Sequence, residues 1–143
     1  MPQDLILAGA VVLADAVRSV PIVDYVMVGA SGSTIKFASV DAVAGANTIV
    51  AAVTGKKIRV LSYRLQAIQN GASTKASYQW RSDVNAISGR QTLVNTIAAD
   101  KNNLIHEDSD PTGVLETAVG ELLAINITAA DSDLRGYIKY VEV

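Results

Sequence analysis

From residue 46 onward, apolar side chains recur at every second position in short runs, and turn residues separate the runs. Lys75 to Asp83 alternates most cleanly, with Ala76, Tyr78, Trp80 and Ser82 on one side and Lys75, Ser77, Gln79, Arg81 and Asp83 on the other. A period of two is the signature of a strand with one buried face. In Glu121 to Thr128 the row Leu123, Ile125 and Ile127 is the expected buried side. Asp131-Ser132-Asp133 turns the chain into a final strand, Leu134 to Val143, whose last two residues still follow the pattern. That predicts an end held inside a sheet, because frayed ends lose their cross-strand pairs. Ile49 to Val53 reads as a short apolar strand, Gln91 to Ala98 and Val114 to Thr117 as weaker ones, and Asp100 to Gly113 as a polar surface loop.

Two details of this series carry more information. Thr54-Gly55-Lys56 and Asn70-Gly71 are turn signals. Between Lys57 and Ala67 the alternation changes phase: Ile58 and Val60 share one parity, while Leu61, Tyr63 and Leu65 share the other. A one-residue slip would expose half of these side chains, so the pattern predicts a β-bulge or a change of exposed face near Leu61.

Residues 1–45 differ in character. They are rich in Ala, Val and Gly, with short apolar runs broken by Asp4, Asp15, Asp24 and Asp41. Pro21 to Val28 and Thr34 to Ser39 read as two short strands around a Gly-Ser turn, and Leu5 to Val17 as extended chain. Short, evenly spaced strands with no helical stretch in the second part predict an all-β fold. The expected architecture is a jelly-roll-like antiparallel β-sandwich over residues 46–143, preceded by an extended N-terminal arm over residues 1–45. The apolar residues Leu5, Ile6, Leu7, Val11, Val12 and Leu13 are the candidate contact residues of that arm, toward a partner or a neighbouring subunit. Left in water they would form an aggregation-prone patch.

Composition narrows the function more by exclusion than by indication. The 143 residues are 50% hydrophobic but only 5% aromatic, which suits a β-branched core better than a stacking surface. There is no cysteine, so disulfides and thiolate metal sites are excluded. A formal charge of −2 gives no global case for nucleic-acid binding. Leu5 to Ala14 is too short to span a bilayer and lacks a preceding basic region, so neither membrane nor secretory signal is expected. The charges are segregated. Eight basic residues lie between Lys56 and Lys101 against Asp83 and Asp100, and eight acidic ones between Asn102 and Val143 against Arg135 and Lys139. Solvated strand faces account for this, and so does a subunit interface where opposite charges meet.

No catalytic constellation is evident. His106, the one histidine, sits among Glu107, Asp108, Ser109 and Asp110 and reads as a solvated loop residue whose replacement would be neutral. Asp108, Asp110, Thr112 and Gly113 occupy early places of a calcium loop, but Val119 stands where the bidentate Glu is needed. Val53-Thr54-Gly55-Lys56-Lys57 lacks both the earlier Gly and the following Ser or Thr of a phosphate-binding loop. Trp80, on the alternating face with Tyr78, is expected in the core rather than on a sugar-binding platform. No cofactor, metal or enzymatic activity is expected.

Several segments carry a resemblance: Asn47 to Tyr63, Pro111-Thr112-Gly113, Leu115 to Thr128, and Gly136 to Val143. Together they resemble a small β-sandwich domain of tailed-bacteriophage virion structural proteins, of the capsid decoration (cement) kind. Where that family has Trp-Phe after Pro-x-Gly, this chain has Val114-Leu115. The resemblance implies a homo-oligomer, in particular a trimer, bound to the major capsid protein on the outer surface of the phage head. A tail, collar or fibre-base component, and a carbohydrate-binding adhesin module, are the alternative expectations.

Overall fold

A computed structural model describes residues 33–68, 75–94 and 105–143. The candidate arm residues Leu5, Ile6, Leu7, Val11, Val12 and Leu13 lie outside the described residues, as do the expected strand at Pro21–Val28 and the Asn70-Gly71 turn.

Ten strands are present among the described residues: β1 (Lys36–Ala42), β2 (Gly45–Val50), β3 (Ile58–Ile68), β4 (Lys75–Ser82), β5 (Asn85–Ala86), β6 (Gln91–Val94), β7 (Ile105–Ser109), β8 (Leu115–Glu116), β9 (Leu123–Ile127) and β10 (Asp133–Glu142). They form two five-stranded antiparallel sheets. One runs β2-β9-β4-β5, with β6 also on β4; the other runs β1-β10-β3-β7, with β8 also on β3. The two sheets pack face to face as a β-sandwich, and the chain passes repeatedly from one to the other.

The core is what the alternation requires. Ala76, Tyr78 and Trp80 from β4 and Leu123, Ile125 and Ile127 from β9 are buried against Ile58, Val60, Tyr63, Leu65, Leu134 and Ile138 from the other sheet. The phase change in β3 is a bulge. Lys139 pairs with Ser62 and Tyr140 with Val60, so Leu61 is the extra residue. The bulge turns both parity sets inward: Ile58 and Val60 before it, Tyr63, Leu65 and Ala67 after it, are all buried. Leu61 itself packs with Val141 and Val143 in a small separate cluster, and its carbonyl accepts the Asp110 N–H at 2.8 Å.

The turn at Thr54-Gly55 is present, with the Lys56 N–H donating to the Val53 carbonyl at 3.0 Å and Gly55 at φ +72°. Val143 exchanges two backbone hydrogen bonds with Lys57, of 2.8 and 3.0 Å, so the last residue is tied to the sheet.

Two elements depart from the sequence expectation. β1 precedes the boundary expected between residues 45 and 46, yet it is a full strand of the second sheet. It pairs with β10 from Lys36↔Tyr140 to Ala42↔Leu134, and Val40 and Ala42 lie in the core. Residues 36–45 are therefore part of the sandwich, and the expected boundary falls at the first residue of β2. The expected polar loop at 100–113 also contains a strand: β7 pairs with β3 from Ile105↔Gln66 to Ser109↔Ser62.

Candidate functional site

The densest group of titratable and polar side chains lies where β7 and β6 flank the core. On β3 and β7, cross-strand neighbours share a face. His106 stands opposite Leu65 and Asp108 opposite Tyr63, so both lie on the same face of β7, His106 partly buried and Asp108 exposed at the rim. The His106 ring meets Tyr63 edge-on, with centroids 5.4 Å apart, and Tyr78 at 6.1 Å. Tyr63 in turn lies 5.3 Å from Trp80. His106 is thus a partly buried strand residue and not the solvated loop residue that its polar neighbours suggested.

The hydrogen bonds explain how this polar group is tolerated inside. The Tyr78 hydroxyl donates to Gln91 Oε1 at 2.8 Å and is in short hydrogen-bond contact with His106 Nδ1. A hydroxyl has one proton. With that proton directed to Gln91, His106 donates Nδ1–H to the Tyr78 oxygen. Burial raises the pKa of Tyr78 far above the ordinary phenol value, reinforced by Tyr63 and by the Asp108 carboxylate. Burial also raises that of Tyr63, with the Asp108 carboxylate adding to it. The Trp80 Nε1–H is buried and has no partner within ordinary hydrogen-bond geometry. The group is a hydrogen-bonded cluster that joins the two sheets through the Tyr78–His106 contact. It presents no nucleophile paired with a base.

The other candidate residues have structural surroundings. Trp80 is 0% exposed, in the core as its alternation indicated. The Asp110 carboxylate is turned onto its own loop, where Oδ1 accepts from Thr112 N at 2.7 Å and Thr112 Oγ1 at 2.6 Å. These bonds hold its pKa below the ordinary value. Asp108 Oδ1 instead accepts from Ser109 N. Among the described residues, no three His, Cys, Asp or Glu side chains are placed to hold a metal ion. Gly113, at φ +114°, gives way to the Arg59 side chain, whose Cγ would lie 2.6 Å from an added Cβ. That leaves Arg59 free to meet Glu116 at 2.7 Å, alongside Lys57 at 2.9 Å.

Two surface features remain. The outer face of the β1-β10-β3-β7 sheet carries the aromatic residues Phe37 and Tyr137, 67% and 47% exposed. A shallow basin of about 260 Å³ beside Tyr137 is lined by Arg64, Gln66, Arg135 and Gly136. Both arginines are already engaged, Arg64 by Glu107 and Arg135 by Asp41, each at 2.9 Å. The second feature is the rim of the sandwich. Strand edges bearing charge resist pairing with other chains. β1 exposes Lys36 and Asp41, and β7 exposes Glu107 and Asp108, while β5 and β8 are two residues long. β2 pairs on one side with β9, and no other strand pairs with it among the described residues.

No protein family, no curated protein and no solved structure matches this chain.

Proposed function

We propose that the protein is a bacteriophage capsid decoration (cement) protein, a jelly-roll-like sandwich with an N-terminal arm that binds the outer head surface and holds neighbouring capsid subunits together. One observation supports this reading most. The separate sequence segments that carry the resemblance are neighbours in the fold: β2 pairs with β9, β3 with β10, and β8 with β3. The resemblance therefore falls on strands that pair with one another, β2 with β9 in one sheet and β3 with β8 and β10 in the other. A buried Trp80 speaks against the carbohydrate-binding alternative, which needs that ring on the surface.

Cementing requires no site chemistry. Many copies each make a modest contact, and simultaneous engagement of adjacent capsid subunits adds avidity. In this reading the protein is a homotrimer whose partner is the major capsid protein. The test is a binding assay on purified undecorated heads, together with the copy number per virion. Saturable binding in hundreds of copies, with added resistance of heads to heat, is the expected result. A handful of copies located at the tail would move the protein to the tail or collar class, and no association with virions would end the proposal.

A further inference from the structure

The outward face of the β1-β10-β3-β7 sheet is laid out in cross-strand rows. Asp41, Arg135 and Gln66 form one row, and Ser39, Tyr137, Arg64 and Glu107 the next. Arg135, Gln66, Tyr137 and Arg64 surround the basin of about 260 Å³ that Gly136 also lines. Ser39, beside Tyr137, is too small to cover its ring, and the tyrosine is 47% exposed. The other tyrosines among the described residues, Tyr63, Tyr78 and Tyr140, are buried. Tyr137 belongs to neither apolar cluster, so the packing of the sandwich gives no reason for a ring there.

The two arginines decide the charge of a fitting ligand. Each makes an ion pair through Nε, Arg64 with Glu107 and Arg135 with Asp41, both at 2.9 Å. The arginine charges at the basin are therefore balanced, which disfavours a phosphate or carboxylate ligand. Lys139 stands in the next row, opposite Phe37. A guanidinium has five N–H groups and a carboxylate two oxygens, so one Nε contact leaves each pair with donors and an acceptor to spare. These four side chains are between 48% and 69% exposed, within reach of a ligand.

We infer that this basin is a binding site for a neutral saccharide, with Tyr137 as the stacking platform and Arg64, Gln66 and Arg135 as hydrogen-bonding partners. The site is independent of the decoration reading and lies on the opposite sheet from Trp80. A sugar ring has a C–H face, which is attracted to the negative face of an aromatic ring. Its hydroxyls accept from guanidinium and amide N–H groups and donate to carboxylate oxygens, and bonds to ionised groups are the stronger kind. The ion pairs hold both guanidinium groups in place before binding, which lowers the ordering cost. The basin lies just below the roughly 300–1,000 Å³ of sites for drug-sized ligands, so it suits a sugar ring or two and not a larger cofactor.

The experiment is saturation-transfer NMR on the full chain with trisaccharides of α- and β-linked glucose, N-acetylglucosamine, mannose and galactose, and with glucuronate as a charged control. At least one trisaccharide is expected to bind with a Kd of about 1 mM, as befits an open, shallow site. Tyr137→Ala should weaken that binding at least about tenfold while circular dichroism is unchanged, because the ring is lost from the surface and not from the core. Tyr137→Phe should keep it, since the ring face and not the hydroxyl makes the platform. Phe37→Ala, on the same face but outside the basin, should leave it unchanged. Binding of none of the trisaccharides up to about 10 mM overturns the inference. Binding that survives Tyr137→Ala also overturns it, since the sugar then sits elsewhere, and so does tighter binding of glucuronate than of any neutral sugar. Head binding is scored separately. Loss of head binding in Tyr137→Ala without saccharide binding by the wild type makes this face a protein contact and refutes this inference alone. Saccharide binding by a protein that does not bind heads refutes the decoration reading alone.

Discussion

Tyr78 on β4 and His106 on β7 share a hydrogen bond that crosses from one sheet to the other. The Tyr78 hydroxyl donates its hydrogen bond to Gln91 Oε1, so the imidazole completes the bonding of an otherwise buried phenol. His106 is therefore expected to matter for stability. Replacing His106 with Ala should cost about 1–2 kcal/mol, from a buried hydroxyl left one partner short and from lost ring contacts with Tyr63 and Tyr78. Urea denaturation at neutral pH measures this. A change under about 0.5 kcal/mol, typical of a surface substitution, would show that the ring is not held between the tyrosines.

The same group sets the alkaline limit. The pKa of Tyr78, and also that of Tyr63, lies above its ordinary value in the folded protein. A group raised on folding contributes stability that is complete below its unfolded pKa and is lost as pH rises toward the folded one. Stability should accordingly hold to about pH 10, the ordinary phenol value, and fall above it. The Tyr78→Phe variant should lose about 1–2 kcal/mol at neutral pH, because Gln91 and His106 keep unpaired groups. Its decline above pH 10 should be shallower than that of the wild type. Equal slopes for the two proteins would assign the alkaline loss to other groups.

Much of the sandwich was legible because its buried rows alternate. Trp80, the Leu123-Ile125-Ile127 row and the bulge at Leu61 all follow from parity, which a single strand records by itself. β7 was not legible, since an edge strand with Glu107 and Asp108 exposed lacks an apolar face, and its pairing with β3 is a tertiary fact. β1 was legible as a strand, at Thr34 to Ser39, but not as part of the sandwich. Its inward residues Val40 and Ala42 do alternate with Asp41, but they lie in an Ala- and Val-rich stretch whose composition suggested an arm. The Tyr78–His106 contact joins residues on different sheets, and no spacing along the chain encodes that.

Acid should act through Glu116. Burial works against its ionisation, but hydrogen bonds and charge from Lys57 and Arg59 outweigh this and hold its carboxyl below the ordinary value. A lowered pKa contributes stability present above the unfolded value and lost as pH falls through the folded one. The wild type should lose this contribution below about pH 4, the ordinary carboxylate range. Glu116→Gln should cost about 0.5–1 kcal/mol at pH 7 in low salt, as expected of a solvent-screened ion pair, and little at pH 3. Thermal melts of both proteins across that range are the measurement, and a difference independent of pH would contradict the assignment.

Gly136 of β10 stands opposite Leu65 of β3. A Cβ there would lie 1.8 Å from the Arg64 carbonyl oxygen, and the backbone φ is +156°. Backbone cannot withdraw as a side-chain tip can, so Gly136→Ala should cost roughly 3 kcal/mol or more through overpacking and strain. Loss of soluble protein, or a midpoint in urea lowered by that amount, is the expected result. A wild-type midpoint would mean that the two strands separate there without penalty.

The start of the folded unit can be located by truncation. β1 lies on the outer edge of its sheet, pairs with β10 over seven positions, and places Val40 and Ala42 in the core. It also anchors two ion pairs to β10, Lys36 with Glu142 and Asp41 with Arg135. Both pairs are solvent-exposed on at least one side and contribute little; the apolar contacts matter more. Burying one valine is worth about 1.5–3 kcal/mol, and removing β1 also uncovers the β10 residues beneath it. Domain stabilities are about 5–15 kcal/mol, so a chain begun at Ala46 should be unfolded or close to it. A chain begun at Ser33 retains every described core contact and should unfold cooperatively near the full-length midpoint. Far-ultraviolet circular dichroism with urea titration separates the two outcomes. If the chain begun at Ala46 matches the full-length protein, β1 is dispensable to the sandwich, and the unit begins where the change in composition near Gly45 placed it.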